Sequence, residues 1–509
     1  MVSLKGIEPR EYQKNIAETA SKKNTLVVLP TGMGKTLIAL LVAIKRLNQY
    51  PESKILVMAP TRPLNAQHKK TFENFTDLKE EEIALVTGKV KPEKRGEIYE
   101  KSRVIIATPQ TIENDLKAER IKLKDFSLAV FDESHRCVKE YSYTFVAKKY
   151  KEQAIHPLIL GLTASPGGSF ERIEEIKKNL FIEAVEIRSE TDEDVKPYVK
   201  PIAKDWIYVE LPDEMKMIKG LLEQMLKEPI NWLKEHGFLT TTRPPRKLLL
   251  TLQNLITTKY MQGPKNYSLA LAMMKLAEAI KIEHALELLE TQEISSLADY
   301  LEKLNKSKKR VDKKIANDPR MKEVFKLVTN VIKSEAEHPK LTKLKFLVKD
   351  LLKENPRVKI IVFANYRATV EKINESLKKE GISSEILIGQ ANKKGKGMSQ
   401  QEQIEVLRRF RDGEFNVLVT TSIGEEGLDI VAADYAIFYE SVASEIRAIQ
   451  RRGRVGRQTA GKVIFLLAKG TRDESYYWAA FQKEKKMKGI LYDMREKSKK
   501  KVTLKDWLT

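Results

Sequence analysis

The stretch TLVVLPTGMGKTLIAL (Thr25–Leu40) decides how the rest of the chain is read. Thr25–Leu29 is a short β-branched and apolar run suited to a buried strand. Gly32 and Gly34 then precede Lys35 and Thr36, and an apolar run suited to a helix follows. Glycines let backbone N–H groups approach phosphate oxygens at a helix N-terminus. Lys35 has the reach and charge for the β- and γ-phosphates, and the Thr36 hydroxyl is a magnesium ligand by type. Thr31, Gly32, Gly34, Lys35 and Thr36 are therefore the candidate nucleotide-binding residues. The pattern is the shortened TGxGKT form of a P-loop, because Leu29 stands where the full form has glycine.

Working outward, strand-like runs recur at Ile55–Ala59, Val104–Thr108, Leu128–Phe131 and Leu158–Leu162, with polar, helix-compatible stretches between them. That rhythm predicts a parallel sheet covered by helices on both faces. It returns after Pro356 at Lys359–Phe363, Glu385–Gly389, Asn416–Thr420, Tyr435–Tyr439 and Lys462–Leu467. From about Trp206 to Lys340 the strand runs stop and apolar residues recur at helical spacing, as in Leu248, Leu252, Leu255 and Ile256. The expected organisation is an α/β domain over residues 1–203, a helical insertion over 204–343, a second α/β domain over 344–480 and a basic C-terminal helix and tail over 481–509.

The chain has 509 residues, 42% hydrophobic and 32% charged, enough for several cores and too regular for wholesale disorder. Its formal charge of +22 favours a polyanionic partner, nucleic acid ahead of a membrane surface. A single cysteine, Cys137, excludes an intramolecular disulfide framework, and the six histidines fall at no zinc-binding spacing. The longest apolar stretch, Leu37–Ile44, is far too short to span a bilayer, and the expectation is a cytoplasmic protein, nucleoid-associated if archaeal.

The fourth strand run ends in LAVFDESH (Leu128–His135). Acids at the tip of an apolar strand beside a P-loop supply what the nucleotide still lacks: Asp132 to hold magnesium and Glu133 to polarise the attacking water. The second α/β domain has no P-loop but carries IQRRGRVGR (Ile449–Arg457), with Arg447 just upstream of Arg451, Arg452, Arg454 and Arg457. If the two domains face one ATP, Arg454 and Arg457 serve as arginine fingers, an effect worth about 10³ to 10⁵ in rate. A plain nucleic-acid patch is the rival reading of that segment.

In order along residues 8 to 468, these motifs resemble those of a superfamily 2 helicase or translocase, which implies two RecA-like parallel-sheet domains sharing ATP and Mg²⁺. REYQ (Arg10–Gln13) is similar to the adenine-reading element, with Arg10 and Gln13 the implied contacts. APTRPL (Ala59–Leu64) and TPQ (Thr108–Gln110) resemble motifs Ia and Ib, placing Thr61, Arg62 and Thr108 on a nucleic-acid backbone. DESH resembles the DExH box, in which His135 couples ATP to nucleic acid, and TAS (Thr163–Ser165) resembles motif III, with Thr163 and Ser165 in the same coupling role. FANYR (Phe363–Arg367) resembles motif IV, TTSIGEEGLDI (Thr420–Ile430) motif V with Thr421 near the backbone and Asp429 near the ribose, and QRRGRVGR motif VI with Gln450, Arg454 and Arg457. His68 and His156 are read as ordinary surface or core residues.

Within that superfamily the run Gly389–Ile430 and the helical insertion resemble the branch of archaeal Hef, the Fanconi anaemia group M protein, Dicer and the RIG-I-like receptors, nearest to the helicase part of archaeal Hef. The resemblance implies action on forked or branched DNA in replication-fork repair or remodelling, a nuclease domain or partner beyond the C-terminus, and a sliding clamp as a further partner. No ERKxxxD nuclease signature occurs, so the chain is read as the helicase part alone, without nuclease activity. A thumb-like contact of the insertion with branched duplex is also implied, with Lys306, Lys308, Lys309 and Arg310, continued by Lys313 and Lys314, as the candidate phosphate contacts and a second cluster at Arg243, Arg246 and Lys247. Two alternatives stay open: a double-stranded-RNA-stimulated motor, which composition does not separate from a DNA one, and a non-enzymatic clamp that ATP merely gates.

Overall fold

A computed structural model describes residues 1–190, 192–198, 203–242, 244, 246–263, 266–292, 294–334, 337–389, 397–421, 433–440 and 461–505; side chains are described for these except Lys247 and 498–505. The first sheet has seven parallel strands: β1 Thr25–Val28, β2 Lys54–Met58, β3 Ile83–Val86, β4 Val104–Ala107, β5 Phe126–Asp132, β6 Ile159–Thr163 and β7 Ala184–Ile187, in the order β3-β4-β2-β5-β6-β1-β7. Nearly every residue of β1, β2, β4, β5 and β6 is buried, because helices cover both faces, and that is why they read as continuous apolar runs rather than alternations. Each face carries its own core. One is built on Leu26, Leu56, Ala129 and Phe131, the other on Val27, Val57, Val130 and Leu162.

The second sheet holds β9 Ile360–Phe363, β10 Ser384–Leu387, β11 Val417–Thr420, β12 Tyr435–Phe438 and β13 Lys462–Ala468, and it is parallel throughout. Its sixth strand corrects the reading that strands stop at Trp206. β8, Ala203–Val209, comes from the linker after the first domain and pairs in parallel with β13 along seven residues. As an edge strand it is mostly exposed and carries Lys204 and Asp205, so it lacks the apolar run that betrays the others. Strand order is β10-β11-β9-β12-β13-β8.

Between β8 and β9 the chain is helical, with long helices at Asp213–Glu235, Arg246–Gln262 and Tyr267–Thr291 and shorter ones at Ile294–Lys306, Arg310–Asn317 and Pro319–Lys333. They enclose two apolar cores of their own, one around Ile218, Leu222, Leu286 and Leu301, the other around Leu233, Leu249 and Leu276. The next helix, Pro339–Glu354, belongs to the second sheet from its first turn, through Leu341, Leu344 and Val348. The insertion is latched to that domain by charge. Arg472 donates from its backbone N to Glu290 (3.0 Å) and from its guanidinium to Glu283 O (3.1 Å), and Tyr366 Oη donates to Glu287 (3.3 Å).

The C-terminal helix expected from residue 481 begins nine residues earlier, at Arg472. It runs unbroken over Arg472–Lys505, leaving the second sheet and ending on the first. Met487, Leu491 and Met494, at i, i+4 and i+7, are buried in one core of the first domain, and Tyr492 Oη donates to Asp192 (2.6 Å). Lysines on the other faces hid that stripe in the sequence.

Candidate nucleotide site and nucleic-acid edge

All strands of the first sheet are parallel, so their C-terminal ends share one edge, where the predicted residues gather. After β1 the chain turns through Gly32 (φ 87°) and Gly34 (φ 74°) into the helix Lys35–Gln49, capped by Gly34 in the left-handed region. Only glycine suits Gly34 twice over: the φ is unfavourable for an L side chain, and a Cβ there would run into the Gln13 amide. Lys35 Nζ folds across the loop onto the carbonyls of Leu29 (3.0 Å) and Pro30 (3.4 Å). The first N–H groups of any helix lack intrahelical partners, so this turn is a ready anion cradle.

Arg10 and Gln13 sit beside the loop. Gln13 is buried, its Oε1 accepting from Arg10 N (2.9 Å) and its Nε2 donating to Met33 O (3.2 Å), while Tyr12 Oη donates to the same carbonyl (2.8 Å). The REYQ segment therefore fixes the P-loop backbone. Arg10 lies over the Tyr198 ring at 5.1 Å, a cation against an aromatic face.

Asp132 ends β5. One of its oxygens accepts from Glu133 N (2.9 Å) and the other from His68 Nε2 (2.9 Å), and its backbone carbonyl accepts from Tyr143 Oη (2.6 Å). Burial by itself would raise this carboxyl. The hydrogen bond and charge of His68, the charge of Lys35 and the Glu133 N–H together hold it below the ordinary carboxylate value instead. Glu133 follows with φ 51°, a left-handed conformation rare for a side-chain-bearing residue, which swings its carboxylate off the strand line. His135 Nδ1 lies 3.2 Å from that carboxylate and 3.2 Å from Thr163 Oγ1. Thr163 Oγ1 in turn donates to Ser165 O and accepts from Ser165 N, both at 3.1 Å. The expected coupling residues His135, Thr163 and Ser165 are thus one contiguous set. Ser165 Oγ also meets Met487 Sδ of the C-terminal helix at 3.0 Å.

Thr61 and Thr108 cap the helices that follow β2 and β4, neighbouring strands on the same edge, and Arg62 is exposed beside Thr61. Thr108 Oγ1 pairs with Thr111 Oγ1 at 2.8 Å. On the second sheet Thr421 follows β11, its N–H donating to Leu387 O (3.4 Å). Asp429, Gln450, Arg454, Arg457 and the other arginines of that segment lie outside the described residues, as does Arg243.

In the insertion the basic run divides. Lys306 pairs with Glu302 (2.5 Å) and Lys314 with Glu278 (2.7 Å), whereas Lys308, Lys309, Arg310 and Lys313 are exposed with no ion pair among the described residues. Arg246 is drawn inward, paired with Glu287. The sequence reading missed His68, set aside as ordinary. The signal was its place on a helix stripe, with Asn65 and Phe72, that an amphipathic pattern would fill with apolar residues.

Two parallel sheets, a P-loop, an acid-tipped strand and threonine caps on one edge define a two-domain ATP-binding helicase. Comparison with known proteins agrees. The DEAD/DEAH box helicase family matches residues 10–173, the helicase conserved C-terminal domain residues 342–459, and a helical bundle described for ATP-dependent RNA helicases residues 214–338. The Pyrococcus furiosus Hef helicase domain, a crystal structure, is 46% identical with a TM-score of 0.73, over 92% of this chain and 98% of that one. This chain belongs to the Hef helicase family. MJ1505 of Methanocaldococcus jannaschii, named as an ATP-dependent RNA helicase, is 46% identical over 97% of this chain and 62% of its own length. The ATP-dependent DNA helicase MPH1 of Pyricularia oryzae is 35% identical over 94% of this chain and 45% of its own. The chain thus spans about half to three-fifths of these curated relatives. No helix among the described residues is long and apolar enough to cross a membrane.

Proposed function

We propose that this chain is an ATP-driven DNA helicase or translocase of the DExH type that acts on forked or branched DNA, in repair or remodelling of replication forks. The observation that carries the reading is the shared edge: P-loop, Asp132 and the Thr61–Arg62 and Thr108 caps stand at the ends of one parallel sheet, with an insertion latched to the second domain. DNA is favoured over RNA by the naming of MPH1, against the RNA name given to MJ1505. A nuclease partner and a sliding clamp remain part of the proposal; no nuclease chemistry is assigned to this chain.

The residues fit magnesium-bound ATP, since Gly34 leaves a side-chain-free cradle and Asp132 is held ionised beside Lys35. The bound nucleotide supplies the phosphoanhydride bond whose hydrolysis drives the cycle. Lys35 would neutralise phosphate charge, Thr36 and Asp132 would hold the metal, and Glu133 would accept the proton of the attacking water. By the motif resemblance, Gln450, Arg454 and Arg457 would act on the nucleotide from the second domain and Asp429 on the ribose. His135, Thr163 and Ser165 pass the state of Glu133 to the edge that carries Thr61, Arg62 and Thr108, opposite Thr421 of the second domain. Closure and reopening of the domains then move that edge against a bound backbone.

The test is ATPase stimulation by forked DNA, linear duplex, single strands and duplex RNA at one fixed salt concentration. Forked DNA should stimulate most. Greater stimulation by duplex RNA would replace the substrate class, and tight ATP-dependent binding without turnover would leave a clamp.

A further inference from the structure

The helix Arg62–Phe75 buries a stripe of Asn65, His68 and Phe72, none more than 1% exposed. Both polar members are committed by hydrogen bonds. Asn65 Oδ1 accepts from Ala59 N (3.1 Å), and its amide nitrogen donates to Ala59 O (2.7 Å) and Thr61 O (2.8 Å). The backbone that presents Thr61 and Arg62 is therefore pinned to the helix and moves with it. One turn further on, His68 Nε2 reaches Asp132 Oδ2 on the neighbouring strand at 2.9 Å.

A carboxylate only accepts, so Nε2 carries the proton in this bond. The second Asp132 oxygen takes the Glu133 N–H, and the carboxylate is gripped from two directions. His68 Nδ1, by contrast, is buried with no hydrogen-bond partner among the described residues. A buried unpaired polar atom carries a desolvation cost that leucine at this position would not incur. Packing alone does not account for an imidazole here; its contact with Asp132 does.

We propose that His68 is a positioning residue that couples nucleic-acid contact at Thr61 and Arg62 to the metal-anchoring carboxylate of Asp132, through Asn65 and the rigid first two turns of this helix. The proposal rests on the reading of Asp132 as metal anchor and of Thr61 and Arg62 as backbone contacts. A phosphate held at the helix N-terminus shifts the helix, and the imidazole turns the carboxylate. This route lies within the first domain and is separate from the His135–Thr163–Ser165 set. Partners that orient a metal-ligating carboxylate commonly change metal affinity 10- to 100-fold when lost. Coupling is reciprocal in binding, so it is measurable without turnover.

The experiment measures Mn²⁺ affinity of the whole chain with a non-hydrolysable ATP analogue, by electron paramagnetic resonance, with and without saturating forked DNA. ATPase stimulation and Tm are read in parallel. His68→Leu keeps bulk without the donor, His68→Asn is too short to reach, and His68→Gln retains an Nε2 donor. Leu and Asn should weaken Mn²⁺ binding about tenfold or more and abolish the DNA-induced change in affinity, while Gln restores most of both. Unchanged Mn²⁺ affinity and unchanged DNA response in the Leu and Asn variants overturn the proposal. So does equal loss in all three, which would mark a packing defect. Asp132→Asn separates the layers: if it leaves Mn²⁺ affinity intact, the anchor reading fails and takes the His68 proposal with it. Loss there with none at His68 removes only the coupling.

Discussion

Lys340 Nζ and the Asp473 carboxylate form an ion pair with essentially no exposed surface, joining the helix that enters the second domain to the helix that leaves it. Nζ also donates to Tyr439 O at 2.6 Å. Removing one partner strands a charge in the interior, whereas removing both does not. Asp473→Asn should therefore cost about 3–5 kcal/mol in guanidinium unfolding of this domain, and the double variant Lys340→Met with Asp473→Leu should recover much of it. A double variant less stable than either single one would show that the pair contributes net stability beyond mutual compensation.

Two buried titrating groups flank that pair with opposite signs. Burial raises the Glu440 carboxyl to about 7 against the Asn365 N–H and the Lys340 charge, while burial and Lys340 depress the His338 imidazole to about 3. Glu440 thus contributes stability below its ordinary pKa of 4.5 that is lost as pH rises to about 7. His338 contributes stability above 6.5 that is lost as pH falls toward 3. Between those limits the two slopes oppose each other, each about 1.4 kcal/mol per pH unit at most. Glu440→Gln should leave a domain that weakens only toward acid, and His338→Asn, which keeps a cap for the following helix, one that weakens only toward pH 7. Tm from pH 4.5 to 8 reads both, and curves parallel to the parent would refute the assignment.

In the nucleotide site, two substitutions should part binding from chemistry. Lys35→Ala should weaken nucleotide binding and turnover together, whereas Glu133→Gln should bind ATP normally and lose hydrolysis by a factor of at least about 10². Normal hydrolysis by Glu133→Gln would move the water-polarising role elsewhere.

Replacing Arg454 or Arg457 by alanine should lower kcat about 10³-fold or more while leaving nucleotide binding by the first domain unchanged, because a finger acts only on the closed state. Titration with a fluorescent nucleotide beside steady-state kinetics separates these effects. Parallel loss of nucleic-acid binding with little change in kcat would place both arginines on DNA.

For the insertion the ion pairs reduce the expected effect. Within the run 306–314, Lys308, Lys309, Arg310 and Lys313 are exposed and form no ion pair among the described residues, so neutralising them should lower the slope of log K against log salt by up to about 0.9 per lost contact on duplex DNA. Neutralising Lys306 and Lys314 should change it less. Identical salt slopes and unchanged branch preference would leave the insertion as a spacer.

The two sheets and the phosphate loop were legible because strands buried on both faces are continuous apolar runs and because GKT after a strand is a local pattern. β8 was not legible, since an edge strand needs only one good face and takes its partner, β13, from some 250 residues away. Nor was the role of His68: its place on a helix stripe marks burial, but its meaning lies in a carboxylate 64 positions distant. The apolar stripe Met487, Leu491 and Met494 was masked by the lysines around it.

That last stripe has a consequence for synthesis. The sheet of the first domain is complete in sequence by about residue 190, yet part of its core is supplied by side chains near residue 490. A nascent chain emerging at about 5–20 residues per second therefore carries an unfinished first domain, with an apolar gap beside β7, for something like 15 to 60 s before the closing helix leaves the ribosome. Chaperone dependence and aggregation of this chain should concentrate in that interval. Supplying residues 472–505 early, by circular permutation that places them ahead of the first strand, should shorten it.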